Sequence, residues 1–207
     1  MTFSSCLNED DRKLVLDASV VINLLATGQP AAILQALSIP ITVTHNVVVE
    51  IERGALNGHP EKALLSDLIA GGSLRVEELD EDALELFVEL VSGDTASTLG
   101  DGEAATLAMA RTRKISAGID EKKATRIATE RFDSLRLVTT LDILAHHAVA
   151  RSIGDAALRD AVLRALTRTR MQVREHQFGW VADLIGLENV ETCPSLKRHA
   201  KRQSARA

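Results

Sequence analysis

The sequence predicts an α/β fold in which a parallel sheet is covered by helices on both faces. Short apolar, β-branched runs alternate with helical stretches from residue 13 to residue 140, which is the pattern of βαβ units. Acidic residues stand directly after two of the short runs, Asp17 after "KLVL" and Asp120 after "KISAGI". In parallel sheets ligands bind beyond the carboxyl ends of the strands, so acids there point to a site. The composition, 45% hydrophobic and 26% charged over 207 residues, is that of a soluble globular chain. A chain of this length buries roughly 70% of its unfolded surface and needs no staples.

The elements follow in order. "KLVL" (Lys13–Leu16) fits a buried strand. "SVVINLLATG" reads as a helix with Ser19 as its N-cap and Gly28 as its stop. Pro30 opens a short helix over Ala31–Leu37, and the β-branched Ile39–Thr44 is the second strand. Thr44 caps "HNVVVEIERGAL", a helix ending near Gly58 with Val47, Val48, Ile51 and Ala55 on its apolar face and Glu50 at the border. "PEKALLSDLIAGG" has a proline start and a glycine stop. "LRVEEL" is a short strand, and "DEDALELFVELV" an acidic amphipathic helix. "SGDTASTLGDG" is a loop by composition.

"EAATLAMARTR" is a helix of small residues, with Asp101 placed as its N-cap and Glu103 in its first turn. "KISAGID" is a strand, "EKKATRIATE" a helix, "LRLVT" a strand and "TLDILAHHAVARS" one helix. Two helical stretches, Asp155–Gln172 and His176–Ile185, come after Gly154.

Several function classes are excluded. No apolar run reaches the ~20 residues that span a bilayer, and the amino terminus carries acids where a signal peptide carries basic residues. The chain is therefore expected in the cytoplasm, with no membrane partner. Cys6 and Cys193 make neither a disulfide framework nor a thiolate zinc site. There is no GxxxxGK[ST] loop and no GxGxxG after a strand. The net charge of -5 argues against binding nucleic acid by bulk attraction. From Glu191 onward, however, five basic residues face one acid, which makes a basic and flexible tail over 191–207.

Four acids carry the chemistry. A buried carboxylate without a cation pairs, binds a metal or takes up a proton. Asp17 has no basic residue after it until Arg53. It can cap the helix that follows, as can Ser19. Glu50 can equally pair with Arg53 at the surface. Glu103 is delivered by a helix whose small residues allow close approach to the sheet. Asp120 ends its strand, with Glu121 beside it as a weaker candidate. Such a cluster repels itself unless divalent cations neutralise it. Hard oxygen donors without a Cys or His pattern select Mg²⁺ or Mn²⁺, and that chemistry suits phosphodiester hydrolysis.

The order "LDASVVINL", "VVVEIERG", "GDGEAATLA", "AGIDEKKATRIA" resembles the PIN-domain ribonucleases, which include VapC-type toxins. The resemblance covers about residues 13–150. It implies a three-layer α/β/α sandwich with a central, mostly parallel five-stranded sheet. The segment 151–190 would then be a helical extension packed on a 13–150 nuclease domain. It also implies Mg²⁺- or Mn²⁺-dependent endonuclease cleavage of RNA. Asp17, Glu50, Glu103 and Asp120 match the acidic quartet, with Asp17, Glu103 and Asp120 as metal ligands. Ser19 and Asn23 match supporting polar positions, joined here by Asp101 and Glu121. An RNA substrate, an antitoxin protein and a homodimer are the partners implied.

The chain departs from compact toxins in three ways. It has Glu103 where they have Asp, Thr139-Thr140 where they have Gly-Thr, and the added helices after Gly154. Two other activities share these motifs: a non-catalytic PIN-like protein-binding module, and a PIN-like nuclease acting on DNA. His146 and His147, adjacent on one helix, diverge by about 100° and do not share a metal. Phe178 and Trp180 are expected to anchor the last helix.

Overall fold

The computed structural model describes residues 3–7, 11–55, 61–95, 97–197 and 199. Five parallel strands form one sheet: β1 (Leu14–Leu16), β2 (Ile41–Thr44), β3 (Arg75–Glu77), β4 (Ser116–Gly118) and β5 (Leu137–Val138). Their order is β3-β2-β1-β4-β5. Every neighbouring pair is parallel, so each connection crosses over through helix. The chain moves outward from β1 through β2 to β3 and then restarts on the other side of β1 with β4. The gap between the ends of β1 and β4 is therefore the topological switch point, where ligands of such sheets bind.

The helices are α1 (Ala18–Ala26), α2 (Pro30–Ala36), α3 (His45–Ala55), α4 (Glu61–Ala70), α5 (Glu81–Val91), α6 (Asp101–Arg113), α7 (Lys122–Arg131), α8 (Thr140–Leu144), α9 (His147–Ile153), α10 (Asp155–Arg168), α11 (Phe178–Ile185) and α12 (Leu187–Val190). The two-residue period of a strand divides them into layers. Leu14 and Leu16 point into one core, with residues of α1–α4 and α8–α12, whereas Val15 points into the other, with α5, α6 and α7. The result is the three-layer α/β/α sandwich expected, with its C-terminal helices in the larger core.

Two glycines record close approaches. A Cβ at Gly118 would lie 2.6 Å from a Leu16 methyl, so the β4 end must be bare for Leu16 to fill the larger core. Gly102 is the second, and belongs to the site. Along α6, Gly102 and every residue from Ala104 to Ala110 are buried, and the glycine and alanines among them let the helix lie against β1, β2 and β4.

Several boundaries differ from expectation. The stretch Thr140–Ser152 is not one helix. α8 stops at Leu144, and the His146 side chain accepts from the Ala148 N–H at the start of α9. His146 and His147 thus lie at a break, with ring centroids 4.5 Å apart. The last two helices are shorter, because α10 ends at Arg168 and a 3-10 turn over Glu175–Gln177 precedes α11. The expected end of α3 near Gly58 lies outside the described residues. Thr44 does cap α3, accepting from the Val47 N–H at 3.3 Å. Phe178 is buried, and Trp180 meets Phe3 edge-on at 5.8 Å, so both anchor α11. Cys6 and Cys193 are free thiols. Among the described residues no single helix is long and apolar enough to cross a membrane.

Candidate active site

Asp17 stands at the carboxyl end of β1, the central strand. Its N–H donates to Gly118 O at 3.0 Å, which locks it beside the end of β4. The α1 N-cap is Asp17 and not Ser19. One carboxylate oxygen, Oδ2, accepts from the Ser19 hydroxyl at 2.8 Å and the Ser19 N–H at 3.4 Å. The other, Oδ1, is buried with no hydrogen-bond partner. An orphaned buried carboxylate oxygen is costly and calls for a ligand or a proton. Burial pushes the Asp17 carboxyl up from its ordinary range; the Ser19 hydrogen bonds oppose that, and the charge of Asp120 adds to it.

Asp120 lies two residues beyond β4, fully enclosed. Its Oδ1 accepts from the Thr140 N–H at 2.9 Å, and its Oδ2 from the Thr140 hydroxyl at 2.5 Å and the Asn23 amide at 2.7 Å. Burial again raises its carboxyl, against these hydrogen bonds and the positive charge of Arg174. Asn23 is oriented from both ends, because its Oδ1 accepts from the Thr169 hydroxyl.

Glu50 reaches across from α3 to Gly102. A Cβ at residue 102 would sit 2.2 Å from Glu50 Oε2 and 3.4 Å from Asp17 Oδ1. Only glycine lets these two carboxylates meet over the start of α6. Burial raises the Glu50 carboxyl first, then the charges of Asp17 and Asp101; the Gly102 N–H opposes them. The cap of α6 is Gly100, so Asp101 is the first helical residue and not the cap. It is exposed and acts on Glu50 through its charge. Glu103 folds back to accept the Gly100 N–H at 3.1 Å. Its carboxyl is raised by burial and by Asp17, Glu121 and Glu50, while the Gly100 bond opposes the rise. Glu121 accepts from the Gln172 amide at 3.3 Å.

The four acids thus gather at one edge, and all four carboxyls are raised. As arranged, no three His, Cys, Asp or Glu side chains among the described residues close round one point as a metal cage. The donor set nevertheless fits a hard cation: all oxygens, mutually repelling, with one buried oxygen orphaned. Sequence reasoning missed Gly102, Thr140, Thr169 and Arg174. The glycine in "GDGEA" was the one available signal, since a bare position between two acids marks a close approach.

A family model described as a PIN domain matches residues 13–186. The chain belongs to the PIN-domain family. This is a family of nuclease domains, and in this PIN domain the match runs through the segment that supplies Thr169, Gln172 and Arg174. None of the curated proteins compared with the chain matches it. Among solved structures, a chain in the crystal structure of VapBC2 from Rickettsia felis, bound to a DNA fragment from its promoter, is similar with a TM-score of 0.46 and 15% identity. The similarity covers 61% of the present chain and 98% of that chain.

Proposed function

We propose that this protein is a Mg²⁺- or Mn²⁺-dependent endoribonuclease that hydrolyses RNA phosphodiester bonds. The observation that carries the reading is the orphaned Asp17 Oδ1 at the switch point, amid three further carboxyls that burial pushes towards protonation, helped at Glu50 and Glu103 by repulsion from neighbouring acids. Asp17, Glu103 and Asp120 would hold the ion, with Glu50 alongside Asp17. The oxygens of Asp120, although hydrogen-bonded, keep further lone pairs for it. A bound ion would supply activation of water and stabilisation of the leaving oxygen.

The chain's own residues do the rest. Ser19 fixes one oxygen of Asp17 and so aims the other. Thr140 and Asn23 hold Asp120 in one rotamer, and Gly102 leaves room for Glu50. The test is cleavage of labelled RNA and single-stranded DNA with Mg²⁺, with Mn²⁺ and with chelator. RNA cleavage that chelator abolishes and Asp17→Asn removes is expected. Cleavage of DNA alone would reassign the substrate, and full activity in Asp17→Asn would remove that residue from the site.

The biological setting we propose is the toxin of a type II toxin–antitoxin pair, acting as a homodimer in the cytoplasm. Expression alone would arrest growth, and co-expression with the neighbouring short reading frame would relieve the arrest. One observation favours a second reading, a non-catalytic binding module: Asp17 and Glu103 already serve as helix-capping groups. A thermal shift with Mn²⁺ that Asp120→Asn abolishes would count against it.

A further inference from the structure

Next to the acidic edge lies a pocket of about 430 Å³, within the size range of small-ligand sites. Its walls come from the start of α7 and from the segments after α10 and α12, and include Lys122, Arg170, Gln172, Ser195 and His199. Gln172 joins the pocket to the site through its hydrogen bond to Glu121, and Lys122 follows Glu121 directly. Two polar atoms here are buried without partners: the Ser195 hydroxyl and Nδ1 of His199. His199 itself is only 7% exposed. Its other ring nitrogen, Nε2, lies 2.8 Å from Val173 O, so Nε2 carries the hydrogen and donates to that carbonyl. Nδ1 is left as a free acceptor.

Buried hydroxyl and imidazole atoms are seldom left unmatched, and a pair of them in one pocket marks a missing ligand. The cations specify its sign. Neither Lys122 nor Arg170 forms an ion pair with a carboxylate among the described residues. Both are exposed at the pocket rim. A polyanionic substrate approaching four carboxylates needs such cations beside them to be held at all. We propose that this pocket binds a backbone phosphate of the RNA substrate adjacent to the cleavage site. Lys122 and Arg170 neutralise it, the Ser195 hydroxyl donates to it, and His199 Nδ1 accepts from a ribose hydroxyl. The C-terminal segment is on this view a substrate clamp, which rests on the nuclease reading for what the clamp serves.

Binding measured without catalysis tests it. Fluorescence anisotropy of a short fluorescein-labelled single-stranded RNA, in chelator and across a salt series, reads affinity alone. Lys122→Ala/Arg170→Ala is expected to weaken binding by ~10-fold or more. It should flatten the slope of log affinity against log salt by ~0.7, the value for one lost phosphate neutralisation on a single strand. Ser195→Ala separates recognition from folding. Removing an orphaned hydroxyl leaves the melting temperature equal or higher, while losing a phosphate donor weakens RNA binding several-fold. Unchanged affinity and salt slope in the double variant would overturn the proposal, as would wild-type affinity in Ser195→Ala or no RNA binding by the wild type. A wild type that binds RNA through this pocket yet cleaves none with any metal would instead overturn the nuclease reading alone.

Discussion

The two ends of α6 treat charge in opposite ways. At its start, Gly102 and Glu103 stand among Asp17, Glu50 and Asp120, and every one of these carboxyls is raised. At its end, Arg113 donates to Glu77, to Asp80 at 3.1 Å and to the Glu78 carbonyl at 2.9 Å, and Lys13 reaches Glu77 at 2.5 Å. There the Glu77 carboxyl is lowered although burial opposes it, because Lys13 and Arg113 together outweigh that desolvation, and the Asp80 carboxyl is lowered first by its cap bond to the Ala83 N–H and then by Arg113. One helix thus links a set of acids held by ion pairs to a set of acids without salt bridges among the described residues. The same residue types serve both; burial dominates at the first end, and direct cation pairs and a cap bond at the second.

The most forceful way to break this contrast is Asp17→Asn. On the proposed function, loss of this carboxylate should lower RNA cleavage at least ~100-fold. Because the residue is a buried, repelled acid, the thermal melt should stay level or rise. A melt lowered by many degrees would show that Asp17 is structural.

Gly102→Ala probes the same end from the other side. The added methyl would displace the tip of Glu50, a flexible end that can swing into solvent, so stability should change by no more than about 1 kcal/mol, helped by the better helix propensity of alanine. Cleavage should nevertheless fall ~10-fold or more. Wild-type cleavage in this variant would separate Glu50 from the chemistry.

Acidification pulls the two ends apart. A carboxyl raised on folding contributes stability that is fully present below its ordinary range, near 3.8 for Asp and 4.5 for Glu, and is lost as pH rises through the raised value. A lowered carboxyl, as at Glu77, contributes stability present above its ordinary range and lost as pH falls. Metal-free protein should therefore gain stability as pH drops from neutral towards the ordinary carboxylate range, until the Glu77 pairs fail below it. Mn²⁺ should raise the melting temperature most at neutral pH and least in acid. Melting curves against pH, with Mn²⁺ and with chelator, read both limbs; identical curves under the two conditions would sink the metal assignment.

The smallest effect is expected from Arg113→Ala. Its partly exposed pairs should cost about 1 kcal/mol in a denaturant titration, with cleavage unaltered.

The layer order and the edge where the acids gather were legible because both are local. A β-branched run names a strand, and an acid at its end names a boundary. The caps of α1 and α6 were displaced by one or two residues, since Asp17 takes the Ser19 N–H at α1 and the glycine that starts α6 caps it by backbone geometry alone, its N–H donating to Glu103. The contacts that complete the site were not legible. Thr169 meets Asn23 across 146 residues, and Gln172 meets Glu121 across 51. Such pairs are set by how helices stack, which residue spacing does not encode. The break after Leu144 was hidden for a related reason: "LAHHAVA" satisfies helix propensity, and His146 ends the helix only by offering its ring to the next one.

The Asn23 amide has a consequence for chain length. Its nitrogen faces Asp120 and its oxygen faces Thr169, so the carboxylate fixes which way round the amide sits and the hydroxyl of a distant helix end steadies it there. Without Thr169 the amide would still turn its nitrogen to the carboxylate, but its oxygen would be unheld. A chain shortened ahead of residue 169 would carry every acid of the site and lose both the hydroxyl that steadies Asn23 and the Arg174 charge that acts on Asp120.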